Sequence, residues 1–138
     1  MGIRLNTFDF AVAAPRALVA SSGAVDAAVE AVVCIPTFRR PEHLRRTLES
    51  LLAQRTGRRF AVVIVENDAA AQDGARMAAQ FLQGGGLRGI CLVEPRQGNC
   101  YAINAAFDTA LAALPQADHF LMIDDDELAS ADWLELMV

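Results

Sequence analysis

The chain has 138 residues and a formal charge of −5, from 17 acidic and 12 basic side chains. That length buries one domain-sized core, and the acidic balance excludes a general nucleic-acid binder, which needs a basic face against phosphates. Every basic residue is arginine, which excludes lysine-dependent sites such as the phosphate loop ending in Gly-Lys-Ser/Thr.

No uncharged apolar run approaches the roughly 18 residues of a membrane-spanning helix. The N-terminus, with Asp9 inside its apolar part, makes a poor signal peptide, so the sequence reads as cytoplasmic. Residues 1–30 hold no period, being interrupted by Pro15 and by Ser21-Ser22-Gly23, and form an N-terminal extension of uncertain structure. From residue 31 onward, apolar strand-like runs alternate with helical stretches. This pattern predicts an α/β domain over 31–138, a mainly parallel sheet flanked by helices.

AVVCIPTF is the first predicted strand, broken at Pro36. PEHLRRTLESLLAQ then places Leu44, Leu48, Leu51 and Leu52 on one helical face, with Pro41 near its start and Glu42 four residues before Arg46. FAVVIVEND is a strand continuous in its apolar residues, as expected where both faces are covered. A helix carrying Met77, Ala78, Phe81 and Leu82 follows and ends at Gly84, Gly85 and Gly86. The three glycines follow a helix and precede the strand ICLVE, the reverse of the order a phosphate cradle needs. The loop EPRQGN is better placed, because it leaves that strand and opens a helix with Ile103, Ala106, Phe107, Ala110 and Leu111 on one side.

HFLMID is the last predicted strand, and Asp124, Asp125, Asp126 and Glu127 stand at its carboxyl end. In an open α/β sheet that edge is where ligands bind. Four like charges beside a low-dielectric core repel one another and call for a cation or for water. Cys34, Cys91 and Cys100 lack Cys-x-x-Cys spacing and are read as buried free thiols. His43 lies on the outward side of its helix and His119 begins a strand far from its functional end, so neither is read as catalytic. Trp133 is a packing residue of the next helix.

The succession VVCIPTFRRPEHLRRTLESLLAQ, VVIVEND, GNCYAINAAFDTAL and FLMIDDDE resembles the nucleotide-binding half of a family 2 glycosyltransferase of the GT-A, Rossmann-like fold. The resemblance covers about residues 31–138. It implies metal-dependent transfer of a sugar from a nucleotide-diphosphate donor, a UDP-sugar being favoured, to an acceptor hydroxyl, with inversion. The acceptor, whether glycan, lipid or small molecule, is not specified, and peripheral membrane association is compatible with the family.

Residue by residue, the resemblance implies an Asp-x-Asp motif at Asp124-Asp125-Asp126, whose hard oxygens suit Mn²⁺ or Mg²⁺. Asp126 is the first choice of metal ligand, with Asp124 facing the ribose or the water shell of the metal. Strand alternation turns Asp125 elsewhere. Pro36 and Thr37 match the loop that approaches the nucleoside, and Arg40 matches an arginine whose donor fork suits phosphate or base, while Arg39 reads as a solvated arginine. Glu66 falls where an aspartate commonly recognises the base, followed by Asn67. Gly98 allows close approach of the donor and Asn104 matches an asparagine of the following helix, whereas Ile103 replaces a frequent arginine.

The sequence stops at WLELMV, inside an amphipathic helix, so the resemblance leads us to expect a truncated chain holding the donor half, with the general base beyond Val138. A receiver-type domain is excluded by the missing lysine, and a nucleotidyltransferase by the lack of a Gly-rich arginine signature after the first strand. A non-catalytic nucleotide-binding or interaction module is the alternative reading.

Overall fold

The computed structural model describes residues 15–23 and 28–138. Five strands form one sheet: β1 (Ala17–Ser21), β2 (Ala31–Thr37), β3 (Phe60–Glu66), β4 (Gly89–Val93) and β5 (His119–Met122), in the order β1-β4-β3-β2-β5. The pairs β2–β3, β3–β4 and β2–β5 are parallel, and only β1 runs antiparallel, along the edge of β4. Helices α1 (Pro41–Leu52), α2 (Asp73–Leu82) and α3 (Asn99–Ala113) connect the parallel strands, and a short α4 (Trp133–Met137) follows.

Every residue of β2 is buried, and the pleat sends successive residues to opposite faces. Val33 and Ile35 pack with Val62 and Ile64 against Leu44, Leu48 and Leu51 of α1 and against Ala75, Ala78 and Leu82 of α2. Val32 and Cys34 pack with Val63 and Val65 against Ala102, Ala105, Ala106 and Ala110 of α3. Two apolar layers thus clamp the sheet, and truncating a fully buried leucine such as Leu48 to alanine costs about 2–5 kcal/mol. Trp133 packs against the first of these layers, as its place in the sequence suggests.

Several local expectations need correction. Leu52 and Leu111 lie about half exposed rather than in the core. In α3 the seated face is the alanine row, because small side chains let the helix lie close to the sheet and turn Leu111 outward. Arg45, not Arg46, makes the side-chain pairs of α1, to Glu42 at 2.6 Å and to Glu49 at 3.0 Å. Cys34 and Cys91 are buried, whereas Cys100 is exposed on the first turn of α3. Within the N-terminal extension, Ala17–Ser21 adds a strand to the sheet; the rest of the extension expected there, residues 1–14 and 24–27, lies outside the described residues. No helix among the described residues is long and apolar enough to cross a membrane.

The chain winds from β2 outward through β3 to β4 and then crosses back to β5 on the other side of β2. The switch point therefore lies between β2 and β5, and the crevice outside their carboxyl ends is where such a sheet receives a ligand.

Candidate functional site

A cleft of about 430 Å³ opens at that switch point, lined among others by Pro36, Thr37, Arg40, Asn67, Gly98, Asp124 and Asp126. Of the residues expected from the sequence, those seven converge, and Glu66 and Asn104 do not. Asn104 lies exposed on α3, since the face carrying Ala102, Ala105 and Ala106 is the one turned to the sheet. Glu66 is fully buried, its Oε1 accepting from Ala75 N–H at 3.0 Å and its Oε2 from Asp68 N–H at 3.2 Å. Burial pushes its carboxyl above the ordinary range, against the lowering effect of those N–H groups. A Cβ on Gly74 would come within 3.1 Å of Glu66 Oε1, so this carboxylate faces α2 and seats its first turn.

The acid run behaves differently from strand extrapolation because β5 ends at Met122 and residues 124–127 form a turn. Glu127 N–H donates to Asp124 O at 3.1 Å, and Glu127 Oε1 accepts from Asp124 N–H at 2.8 Å. Alternation stops applying there, and Asp125 turns inward. It is 1% exposed; its Oδ2 accepts from Thr37 Oγ1 at 3.0 Å and from Phe38 N–H at 3.3 Å, and its Oδ1 lies 2.6 Å from Arg40 Nη2. The same guanidinium reaches Asp126 Oδ2 at 3.2 Å. Thr47, buried in α1, lies with its hydroxyl 2.7 Å from Glu127 O and fixes the turn against the helix.

Asp124 faces the cleft with no side-chain partner among the described residues. Burial, followed by the charges of Glu127, Asp126 and Asp125, raises its pKa, and Arg40 opposes the shift only weakly. The site thus retains an unmet demand for positive charge. Among the described residues no three His, Cys, Asp or Glu side chains converge to hold a metal by themselves. Three carboxylates line the cleft; with Asp125 committed to Thr37, Phe38 and Arg40, Asp124 and Asp126 fit a hard cation that takes its other ligands from phosphate and water, the usual arrangement for Mg²⁺, and do not fit an all-protein cage.

The opposite wall is set by backbone. Gly98 caps α3 with φ +145°, a conformation essentially reserved for glycine, and α3 begins with its free N–H groups beside the cleft, where they favour an anion. Asn67 fastens this wall. Its Nδ2 donates to Glu94 O at 2.9 Å and to Arg96 O at 2.8 Å, and its Oδ1 accepts from Gly98 N–H at 2.8 Å. Its amide is consumed in holding the β4–α3 loop, so Asn67 shapes the cleft more than it offers free polar atoms. Arg39 is solvent-exposed, as expected, and also pairs through Nε with Asp68 Oδ2 at 3.0 Å, holding that carboxylate below its usual range.

Sequence reasoning missed Asp125 as a tether and Glu94 as a buried anchor. A carboxylate closing the strand ICLVE was the available signal for Glu94. His43 is exposed, and His119 lies at the start of β5, away from the cleft.

The profile described as "Glycosyl transferase family 2" matches residues 32–138. The chain belongs to that family. The fold is similar to the Staphylococcus aureus TarS 1-349 crystal structure, at 20% identity and TM-score 0.63, over 78% of this chain and 30% of that one. It is also similar to the mannosyltransferase PcManGT from Pyrobaculum calidifontis, solved with GDP-Man and Mn²⁺, at 20% identity and TM-score 0.64, over 79% of this chain and 32% of that one. TarS has also been solved with UDP-GlcNAc, where the similarity has a TM-score of 0.61. The chain thus spans about a third of the length of these GT-A enzymes. No curated protein sequence matches it significantly.

Proposed function

We propose that this chain forms the donor half of a glycosyltransferase, which passes a sugar from a nucleotide-diphosphate donor to an acceptor hydroxyl with inversion. The observation that carries the reading is the cleft itself: in a family 2 domain, Asp124 and Asp126 meet Arg40 and the N-terminus of α3 at the switch point. Asp124 and Asp126 would hold a divalent cation, Mn²⁺ or Mg²⁺, with Asp126, the more exposed, as the principal ligand. When bound, the cation supplies positive charge against the diphosphate that departs. Arg40 offers a planar donor fork to phosphate, Gly98 lets the ligand approach the start of α3, and Pro36 and Thr37 flank the nucleoside.

A UDP-sugar is the favoured donor, supported by the UDP-GlcNAc complex of one structural neighbour, while the GDP-Man and Mn²⁺ complex of the other supports a cation-bridged nucleotide sugar more generally. No cleft residue is assigned as the base that deprotonates the acceptor.

The test is thermal unfolding with UDP, with Mn²⁺, with both and with chelator. A ligand of the folded form stabilises it by RT ln(1 + [L]/Kd), about 2.7 kcal/mol at a hundredfold excess over Kd. Mn²⁺ with UDP is expected to raise Tm well beyond either alone, and a parallel GDP series ranks the bases. An equal UDP shift with and without chelator removes the metal from the proposal. Cation-dependent binding with no turnover in any longer form of the protein favours the non-catalytic nucleotide-binding module.

A further inference from the structure

Arg16 precedes β1 and lies outside the residues matched by the family profile. Its Nε is 2.9 Å from Glu94 Oε1, and its Nη1 is 3.2 Å from Asp108 Oδ2 on α3. Glu94 closes β4 with a side chain only 1% exposed. A carboxylate buried this deeply is strongly destabilising unless it keeps a cationic partner.

The other candidate partner is Arg96, whose Nη2 lies farther away, 3.3 Å from Glu94 Oε1, and whose guanidinium also covers the Tyr101 ring at 4.6 Å. Arg96 N–H donates to Glu94 Oε2 at 2.9 Å, Arg96 O accepts from Asn67 Nδ2, and Asn67 Oδ1 accepts from Gly98 N–H. An unbroken line of hydrogen bonds therefore runs from Arg16 to the glycine wall of the cleft. Asp108 ties the same guanidinium to the helix that Gly98 opens. Being exposed, that second pair adds little energy, but it fixes the direction of the fork.

We propose that the N-terminal segment is part of the donor site, with Arg16 as a positioning residue that holds the β4–α3 loop and thereby the Gly98 wall in binding geometry. The proposal rests on the cleft being a nucleoside-diphosphate site. Without Arg16, Glu94 keeps only Arg96, whose longer contacts of 3.3 Å to Oε1 and 3.5 Å to Oε2 must then carry the whole pairing, and the loop carrying Arg96 O and Gly98 N–H shifts as that guanidinium closes on the carboxylate.

The experiment compares the full chain with Arg16→Met and Arg16→Lys by residue-resolved amide exchange and by titration with UDP in the presence of Mn²⁺. In Arg16→Met the Arg96 and Gly98 amides are expected to exchange about tenfold faster while β2 and β3 amides keep their protection, and Kd is expected to rise about tenfold, a typical coupling between linked sites. Arg16→Lys restores the charge and should recover most of both effects. Should Arg16→Met not fold, Arg16→Lys carries the test through a smaller acceleration confined to those two amides. Unchanged Arg96 and Gly98 exchange overturns the proposal, as does acceleration spread evenly over the sheet. If the parent binds no nucleoside diphosphate, the donor-site reading fails on that result, and the exchange data still decide whether Arg16 holds the loop.

Discussion

Arg40 Nη2 lies 2.6 Å from Asp125 Oδ1, and Nη1 of the same guanidinium lies 3.2 Å from Asp126 Oδ2. One cation at the cap of α1 thus serves a buried carboxylate and an exposed one, and the two are not equivalent. Asp125 also receives Thr37 Oγ1 and Phe38 N–H, so it ties the end of β2 to the turn after β5.

Asp125→Ala should strand those buried donors and cost about 2–4 kcal/mol in urea unfolding. Asp126→Asn should leave the stability of the ligand-free protein within about 0.5 kcal/mol of the parent, because its pair with Arg40 is half exposed and repulsion in the turn falls, yet abolish the Mn²⁺-dependent shift by UDP. Retention of the shift in Asp126→Asn, with its loss on a conservative change at Asp124 alone, would assign the principal metal ligand to Asp124.

Glu66 gives a prediction in pH. Its folded pKa is raised by burial, so between the ordinary value of 4.5 and the raised value the folded protein binds more protons than the unfolded chain. The contribution of Glu66 to stability is then fully present below about pH 4.5 and is lost as pH rises through the folded value. Measured against Glu66→Gln across pH 4 to 8, the stability of the parent should decline with rising pH; a rising difference contradicts the buried placement.

Gly98→Ala places a Cβ 3.3 Å from the Tyr101 ring on a backbone at φ +145°. The strain should cost about 1–3 kcal/mol, and because the residue lines the cleft, nucleotide affinity should fall with it. Gly57→Ala, where a Cβ would meet nothing within 4 Å, is the control and should change neither measurement appreciably.

Thiol reactivity offers a check on packing. Burial pushes Cys34 and Cys91 up to about 12, and both are out of contact with water, whereas Cys100 is exposed. A thiolate reagent at neutral pH should count one thiol in the native chain and three after denaturation. Two fast thiols in the native protein would mean that one of the two apolar layers is open.

The fold was legible wherever period and burial agree. Leu44, Leu48 and Leu51 repeat at helical spacing and meet a single layer, and the unbroken apolar runs of β2 and β3 announce strands covered on both sides. The strand at Ala17–Ser21 was illegible because an edge strand of five residues, with Leu18 two-thirds exposed, shows no alternation to read. In the site, glycine chemistry and the family pattern located Thr37, Arg40, Gly98 and Asp124, since those positions depend on where strands end. The directions of Glu66 and Asp125 were not legible. Glu66 ends its strand pointing at α2, and Asp125 sits on a turn, where the pleat no longer dictates which way a side chain faces.

The pairing of β2 with β5 has a consequence for how the molecule assembles. It joins Ala31 to His119 in register, and the Thr37–Asp125 bond spans 88 positions of the chain. Such distant contacts form slowly, because the intervening chain must be ordered before they are rewarded. β2, β3 and β4 can associate through short crossovers while the acidic turn is still unattached. A folding intermediate of that kind would have a largely built sheet and two of its helices, yet no cleft at the switch point. Binding of Mn²⁺ and nucleotide during refolding should therefore report the docking of β5, later than signals that report helix formation.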